Sequence, residues 1–252
     1  MNKTIVIQKN HKTIREFKNE AIPKEIMEEL FEVTRRTATS NGMQTYSIIR
    51  ITDKILKEKI SKLCNQEYVA RAPELLIFIV DQYRNSQIAI EKGLNLEDTN
   101  DMDKFFQGFT DSALAAQNMV VAAESLGLGA NYLGSILNDT EEMCNLLELP
   151  ELTFPVVGLG IGYPNQKPQL KPRMDMRLRV FENKYKKYQN YLDVLKDYDS
   201  EMQTYYDLRD ANRRVDSFTE QVKTRTKLTL EKRKEIINVI KAQGFDLMLK
   251  NH

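Results

Sequence analysis

The stretch from Ala113 to Leu126 constrains the fold most, because nearly every residue in it is apolar or small. The only interruptions are Gln117, Asn118, Glu124 and Ser125. A helix with this pattern has almost no face to give to water, so the stretch predicts a central, buried helix. Its many alanines let neighbouring backbones come close, and Gly127 suits the left-handed residue that ends many helices.

A short strand, Ala130 to Ser135, is expected directly after this helix and ends in Gly134-Ser135. A glycine at a strand end can mark close approach of the backbone to a ligand. A bare turn is the commoner explanation. The residues alone leave both interpretations open.

The rest of the pattern predicts helices and strands in alternation. Leu75 to Val80 is a continuous apolar run, which is typical of a central strand covered on both faces by helices. Strands are also expected at Thr45–Ile51 and Thr153–Gly160, and helices from Pro23, from Asp53 to Leu63, from Gln82 to Lys92, from Asp139 to Leu147, along a tyrosine-rich stripe from Tyr185 to Tyr205, after Ser217 and from Thr229. More helix than strand predicts an α+β or three-layer α/β/α fold.

Composition limits the classes of partner. With 252 residues, 41% of them hydrophobic, the chain can build a substantial core as one large domain or two small ones. A net charge of +1 argues against general attraction to nucleic acid or membranes, so any anion site must be local. Cys64 and Cys144 have no paired spacing, which favours neither a disulfide nor a metal site. With no cleavable or membrane-length apolar run, a cytoplasmic protein is expected.

Three local clusters of cations stand out: His11-Lys-Thr-Ile-Arg15, Lys171-Pro-Arg173, and a loop from Asp207 to Asp216 that carries Arg209, Arg213 and Arg214. Each cluster could bind a phosphate through charge-assisted hydrogen bonds. Taken alone, each is more often a solvated surface charge. The glycine-rich stretch from Gly158 to Pro164 is rejected as a dinucleotide loop, because a proline-studded segment follows it instead of a helix.

Six motifs in the same order resemble the nitroreductase family, specifically its NADPH-dependent, oxygen-insensitive nitroreductase and flavin reductase subgroup. They are His11-Lys-Thr-Ile-Arg15, Ser47-Ile-Ile-Arg-Ile-Thr-Asp53, Ala115-Ala-Gln-Asn118, Ala122-Ala-Glu-Ser-Leu-Gly-Leu-Gly129, Tyr132-Leu-Gly134 and Leu170-Lys-Pro-Arg173. The resemblance implies a three-layer α/β/α fold with a mixed central sheet. It also implies an FMN-binding core at 1–174 and a helical C-terminal extension at 175–252.

The resemblance joins the separate loops into one FMN site. The residues it assigns to FMN are His11, Lys12, Thr13, Ile14, Arg15, Lys171 and Arg173 around the phosphate and ribityl chain, Thr39 and Ser40 from the partner subunit, Gln66, Glu67 and Tyr68 at the pyrimidine edge, and Tyr132, Leu133, Gly134 and Ser135 facing the ring. Lys12 and Thr13 replace the family's arginine and serine. Asn41-Gly42 replaces a serine and a bulkier residue, which opens the pocket.

The activity implied is a ping-pong cycle in which NADPH reduces FMN, and the flavin then reduces a nitro compound, quinone or free flavin. The protein supplies orientation and cationic stabilisation, so we name no catalytic side chain and no metal ligand. Arg209 and Arg213 are assigned to the NADPH 2′-phosphate. A homodimer is also implied. Two alternatives stay open: a regulatory flavin-binding protein, and a dehalogenase or flavin destructase of the same fold.

Overall fold

A four-stranded sheet forms the centre of the computed structural model, which describes residues 2–207, 213–228 and 230–247. Its strands are β1 (Tyr46–Ile51), β2 (Glu74–Asp81), β3 (Gly129–Leu133) and β4 (Thr153–Gly162), in the order β1-β2-β4-β3. All three neighbouring pairs are antiparallel, which corrects the expected mixed sheet. Helices between strands are typical of parallel crossovers, but here they return the chain for antiparallel pairing. A parallel contact occurs as a single-residue bridge between Thr13 and Ala130.

The helices of the described chain have the following bounds. They are α1 (Lys3–Lys9), α2 (Lys24–Arg35), α3 (Lys54–Cys64), α4 (Tyr68–Arg71), α5 (Tyr83–Glu91), α6 (Met102–Ser125), α7 (Thr140–Leu146), α8 (Tyr191–Met202), α9 (Phe218–Lys227), α10 (Glu231–Lys234) and α11 (Ile236–Ala242). Among these described helices, none is both long and apolar enough to cross a membrane.

The described residues divide into two compact units. One comprises those within 1–166 and 230–252, and the other those within 167–229. The sheet and both of its helical layers belong to the first unit, and α8 and α9 belong to the second. Each unit buries apolar side chains of its own, such as Phe78 in the first and Met202 in the second.

Strand β2 separates two helical layers in the first unit. Its alternate side chains Leu76 and Phe78 pack with residues of α2 and α6, such as Leu30 and Met119. The side chains between them face the opposite layer, where α3 and α7 pack. Because successive residues of a strand point to opposite faces, a continuous apolar run is what such a strand requires. The predicted three-layer fold with a central, fully buried strand is confirmed.

Helix starts follow the predicted capping residues. The side chains of Asp53, Asp139 and Ser217 accept hydrogen bonds from the backbone N–H groups of Leu56, Glu142 and Glu220. Each satisfies one of the amides that a first helical turn leaves without a partner. The tyrosine-rich helix starts later than expected, at Tyr191 instead of Tyr185, because Asn190 caps it by accepting from two backbone amides.

The long helix α6 is less completely buried than its sequence predicts. Ala115, Met119 and Ala123 are fully enclosed, yet Leu114 is 50% and Phe106 is 60% exposed. We call Phe106, Thr110, Ala113, Leu114 and Gln117 the exposed α6 face. Apart from the adjacent pair Ala113 and Leu114, successive members are three or four residues apart, so they lie on one side of the helix. The expectation of burial on every side is therefore wrong for the single chain.

Three glycines of β4 lie on one face of the sheet, where little room is left for side chains. A Cβ atom on Gly158 would lie 3.0 Å from Leu133, one on Gly160 would lie 2.5 Å from the Asn131 side chain, and one on Gly162 would lie 2.8 Å from Phe17. This glycine row lets neighbouring segments lie directly on the sheet. The stretch is part of a strand, which confirms that it is not a dinucleotide loop.

Candidate active site

The segment His11–Arg15 lies along the β3 edge of the sheet. The Ile14 backbone N–H donates to the Ala130 carbonyl at 2.9 Å, and Thr13 forms the parallel bridge to the same residue. The Ile14 side chain is only 6% exposed. It fits against Gly129, where a Cβ would lie 2.5 Å from Ile14 Cγ1. The backbone of the segment is thereby fixed, and its polar side chains emerge around a buried anchor.

Lys12 and Arg15 are partly buried cations. Neither forms an ion pair with any residue that the structure describes. Other arginines of this unit do have such partners: Arg50 pairs with Glu74, Arg71 with Glu16, and Arg84 with Asp81. Because partly buried cations are usually paired, this arrangement is suited to an anionic ligand.

His11 contacts a residue that the sequence analysis did not assign to the site. Its Nδ1 lies 2.6 Å from Oε1 of Glu124, near the end of α6, and the Glu124 side chain is only 12% exposed. A carboxylate accepts hydrogen bonds and does not donate them, so Nδ1–H is the donor. The sequence signals for Glu124 were its polarity within an apolar helix and its place in the family-like motif at 122–129.

The end of β3 differs slightly from the prediction. The strand stops at Leu133, and Gly134 opens a short 3₁₀ turn, Gly134–Leu137, instead of ending a strand at Ser135. A Cβ on Gly134 would meet no atom within 4 Å, so the backbone here faces open space. Leu133 is buried beneath it. The geometry thus offers a ligand direct access to the chain at Gly134.

Tyr132 precedes this opening and is tied to α6. Its hydroxyl donates to Oε1 of Gln117 at 2.8 Å. Partial burial, and to a smaller extent the negative charge of Glu124, raise the pKa of the Tyr132 phenol above its ordinary value. The hydroxyl therefore keeps its proton at neutral pH and acts as a hydrogen-bond donor.

The segment Gln66–Tyr68 meets the 3₁₀ turn from the other side. The Ser135 hydroxyl donates to Oε1 of Gln66 at 2.8 Å, while Glu67 and Tyr68 begin α4. Close by, burial raises the pKa of the Cys64 thiol, and its contact with Ser135 opposes that rise. The structure thus brings Gln66 and Ser135 together.

Thr39 and Ser40 are held by a buried carboxylate of α6. Asp111 is 1% exposed, and its Oδ1 accepts from the Ser40 backbone N–H at 2.8 Å and from the Ser40 hydroxyl at 3.1 Å. Its Oδ2 accepts from the Thr45 hydroxyl at 2.9 Å. Thr39 Oγ1 accepts from the Gln44 backbone N–H. Among the described hydrogen bonds, none joins this loop to His11–Arg15, so the structure does not bring these two predicted parts together within one chain.

The second unit carries the other predicted phosphate residues. Lys171 Nζ lies 5.9 Å from the centre of the Tyr205 ring, and Arg173 contacts the Pro172 carbonyl. Both line a cavity of about 520 Å³, together with Tyr198, Met202, Phe218, Gln221, Val222, Arg225 and Thr226. Arg209 lies outside the described residues. The backbone of Arg213 pairs with that of Asp207 in a two-residue strand, and its side chain is not described.

Comparison with known proteins settles the family. The model described as the nitroreductase family matches residues 9–163, which is more than half of the chain, and the model of its C-terminal domain matches residues 171–248. This chain belongs to the nitroreductase family. The resemblance seen in six short motifs is thereby confirmed.

Individual members of the nitroreductase family match along almost the whole chain. An oxygen-insensitive NADPH nitroreductase of Salmonella typhimurium is 36% identical, with coverage of 97% of this chain and 99% of that protein. An FMN reductase (NADPH) of Bacillus subtilis is 33% identical over 88% of this chain and 90% of its own length. The structure of an NADPH:FMN oxidoreductase from Vibrio harveyi, complexed with NAD+, superimposes with a TM-score of 0.85 at 30% identity, covering 97% of this chain and 99% of that one.

Proposed function

We propose that this chain is an FMN-dependent oxidoreductase that uses NADPH to reduce nitro compounds, quinones or free flavin. One observation carries the proposal: Lys12 and Arg15, which form no ion pair with any described residue, lie in the segment beside β3, the strand that leads to the open backbone at Gly134. The names of the relatives supply the nucleotide and two of the acceptors, nitro compounds and free flavin, whereas quinones come from the family resemblance. The residues present fit the proposed activity and need no side chain as an acid or base.

The described residues fit FMN in charge and in shape. A phosphate needs cations and hydroxyl donors, and His11, Lys12, Thr13 and Arg15 provide both on a backbone fixed by Ile14. A planar ring needs a surface that it can approach closely, which the missing side chain of Gly134 provides. The family resemblance also assigns Lys171 and Arg173 to FMN, and both lie in the second unit, on the proline-containing loop that follows β4 in the chain.

When bound, FMN supplies the two-electron chemistry, taking a hydride from NADPH and passing electrons to the acceptor. The chain holds the cofactor through the His11–Arg15 segment and supports the 3₁₀ turn at Gly134 through the Gln66–Ser135 hydrogen bond. Tyr132 is kept in place by Gln117. These groups would orient the cofactor. The positive charges of Lys12 and Arg15 would stabilise negative charge that develops at the site.

The decisive experiment is anaerobic addition of NADPH to the purified protein. We expect a yellow protein whose absorbance bleaches with NADPH and returns when a nitroaromatic compound or a quinone is added. A yellow protein that NADPH cannot bleach would instead indicate a regulatory flavin-binding protein. A colourless protein that takes up no added FMN would refute the proposal.

We further propose that the chain works as a cytoplasmic homodimer, with a core at 1–174 and an extension at 175–252. The exposed α6 face supports a dimer, as do Val180, Tyr185 and Leu192, which are 60%, 70% and 65% exposed. An obligate interface of this kind should bury more than about 2,000 Å². The partner subunit would then bring Thr39 and Ser40 to the flavin.

Replacing Leu114 by glutamate should shift the dimer towards monomer, because burying an unpaired carboxylate costs several kcal/mol. We expect the dissociation constant, measured by analytical ultracentrifugation, to rise at least about tenfold. Ile55→Glu is the matched control, since Ile55 is 65% exposed on α3. A wild-type protein that is active as a monomer in light scattering would contradict the dimer.

The double change Arg209→Ala with Arg213→Ala should raise the KM for NADPH at least about tenfold, because guanidinium groups suit the doubly charged 2′-phosphate. FMN content and the slow rate with NADH should barely change. Rising salt should reproduce part of the loss, since it screens exposed charges. Arg177→Ala is the control, because that exposed arginine pairs with Asp175. An equal rise in the KM for NADPH and for NADH would show that these arginines do not bind the 2′-phosphate.

A further inference from the structure

Two polar side chains of α6, Gln117 and Glu124, each hold a residue of the proposed FMN site. They are seven residues apart, which is close to two helical turns, so they lie on the same side of the helix. Gln117 accepts from the Tyr132 hydroxyl at 2.8 Å, and Glu124 contacts His11 at 2.6 Å. In the sequence both residues interrupt an apolar pattern, and each lies in one of the six family-like motifs, but neither was assigned to the site.

The contact at Glu124 fixes the imidazole of His11. A neutral histidine carries its proton on either nitrogen, and the partner of one nitrogen decides which. With Nδ1–H donated to Glu124, Nε2 is the nitrogen left for another partner, and it can donate to an anion only as Nε2–H of the imidazolium, which carries a proton on both nitrogens. The two ring nitrogens point away from each other, so a ring that directs Nδ1 at α6 directs Nε2 away from that helix.

We propose that Glu124 is a positioning residue that orients His11 so that Nε2 faces the anion bound by Lys12 and Arg15. The anion is the FMN phosphate if the proposed function holds, and in this respect the inference rests on it. Glu124 does not touch the ligand. Its role is comparable to that of the carboxylates that orient metal-binding histidines from behind.

An ordinary surface ion pair would have a different geometry. Exposed pairs contribute little, because water competes for both partners and screens their charges. Here the carboxylate is 12% exposed, the imidazole is 29% exposed, and the 2.6 Å separation is at the short end for a charge-assisted hydrogen bond. By contrast, the Lys24–Glu28 pair on α2 is 3.4 Å long with both side chains more than half exposed.

The first measurement is of the imidazole itself, by ¹H–¹⁵N NMR of the FMN-free protein. The chain has only two histidines, so His11→Gln assigns the signals. We expect Nδ1 of His11 to carry the proton in the wild type. Glu124→Ala should abolish this signature, whereas Glu28→Gln, the control on α2, should preserve it. A wild-type His11 without a proton on Nδ1, or an unchanged spectrum in Glu124→Ala, would overturn the proposal.

The second measurement is the dissociation constant for FMN, followed by flavin fluorescence. Glu124→Ala should weaken binding by about tenfold, because it releases a ring that makes a charge-assisted contact. Glu124→Gln keeps an acceptor oxygen and should stay within about threefold of the wild type. Thermal unfolding of each variant confirms that it is folded.

A double-mutant cycle separates positioning from a general effect on the fold. If Glu124 acts through His11, then Glu124→Ala should add less than about twofold to the loss already caused by His11→Gln. Fully additive losses would overturn the proposal. If the wild type bound no FMN, the proposed function would fail, and the NMR spectra would still decide whether Glu124 orients His11.

Discussion

Replacing Arg15 by alanine is expected to weaken FMN binding by about tenfold to a hundredfold. A hydrogen bond to a charged group contributes about 1.5 to 3 kcal/mol, and each 1.4 kcal/mol corresponds to about a factor of ten in affinity. Arg15 is partly buried and has no ion pair with a described residue, so its charge is available to the ligand. Fluorescence titration of the FMN-free variant with FMN measures the change.

The control for Arg15→Ala is Arg36→Ala. Arg36 lies just after α2 and pairs with Glu32 at 2.9 Å, so its loss should leave FMN affinity unchanged. If both variants bound FMN as tightly as the wild type, Arg15 would not contact the phosphate. If both lost FMN equally, net charge would matter and not this particular contact.

Removing the carboxylate of Asp111 should destabilise the fold strongly. Asp111→Ala leaves the Ser40 amide, the Ser40 hydroxyl and the buried Thr45 hydroxyl without their acceptor. Unsatisfied buried donors cost about 1 to 3 kcal/mol each, so we expect a loss of about 3 to 5 kcal/mol. For a chain of this size that lowers the Tm by about 6 to 20 °C.

Differential scanning fluorimetry of the FMN-free protein measures the effect, so that loss of ligand does not contribute. Asp111→Asn keeps one acceptor oxygen and should fall between the wild type and Asp111→Ala. Asp103→Ala, on the exposed first turn of the same helix, should change the Tm by only a few degrees. A Tm for Asp111→Ala within 2 °C of the Asp103→Ala value would contradict the role assigned to Asp111.

Local features of the chain could be predicted from sequence because their causes are local. An aspartate such as Asp53 caps its own helix, and the unbroken apolar run of β2 requires cover on both faces wherever the strand lies. Strand direction was not predictable in the same way. It depends on where each helix returns the chain, and the sequence pattern does not contain that information.

The contacts that hold the site residues in place were harder to predict. Glu124 and His11 are 113 positions apart, and Asp111 and Ser40 are 71 apart. No periodicity relates such pairs, and only the folded chain brings them together. The exposure of Leu114 shows a second limit of prediction from sequence. Its sequence context correctly indicates an apolar surface but does not say whether the same chain covers it.

The glycine row of β4 has a consequence for how new acceptor specificities could be evolved in the laboratory. A side chain at Gly162 would push against Phe17, two residues beyond Arg15, and one at Gly160 would push against the buried Asn131. Substitutions at Gly160 and Gly162, and to a smaller extent at Gly158, should therefore destabilise the sheet, and libraries that leave these positions unchanged should contain more folded members. Gly134 has a different limit: a side chain there would face open space and leave the sheet undisturbed, but it would occupy the surface that the proposed FMN ring approaches.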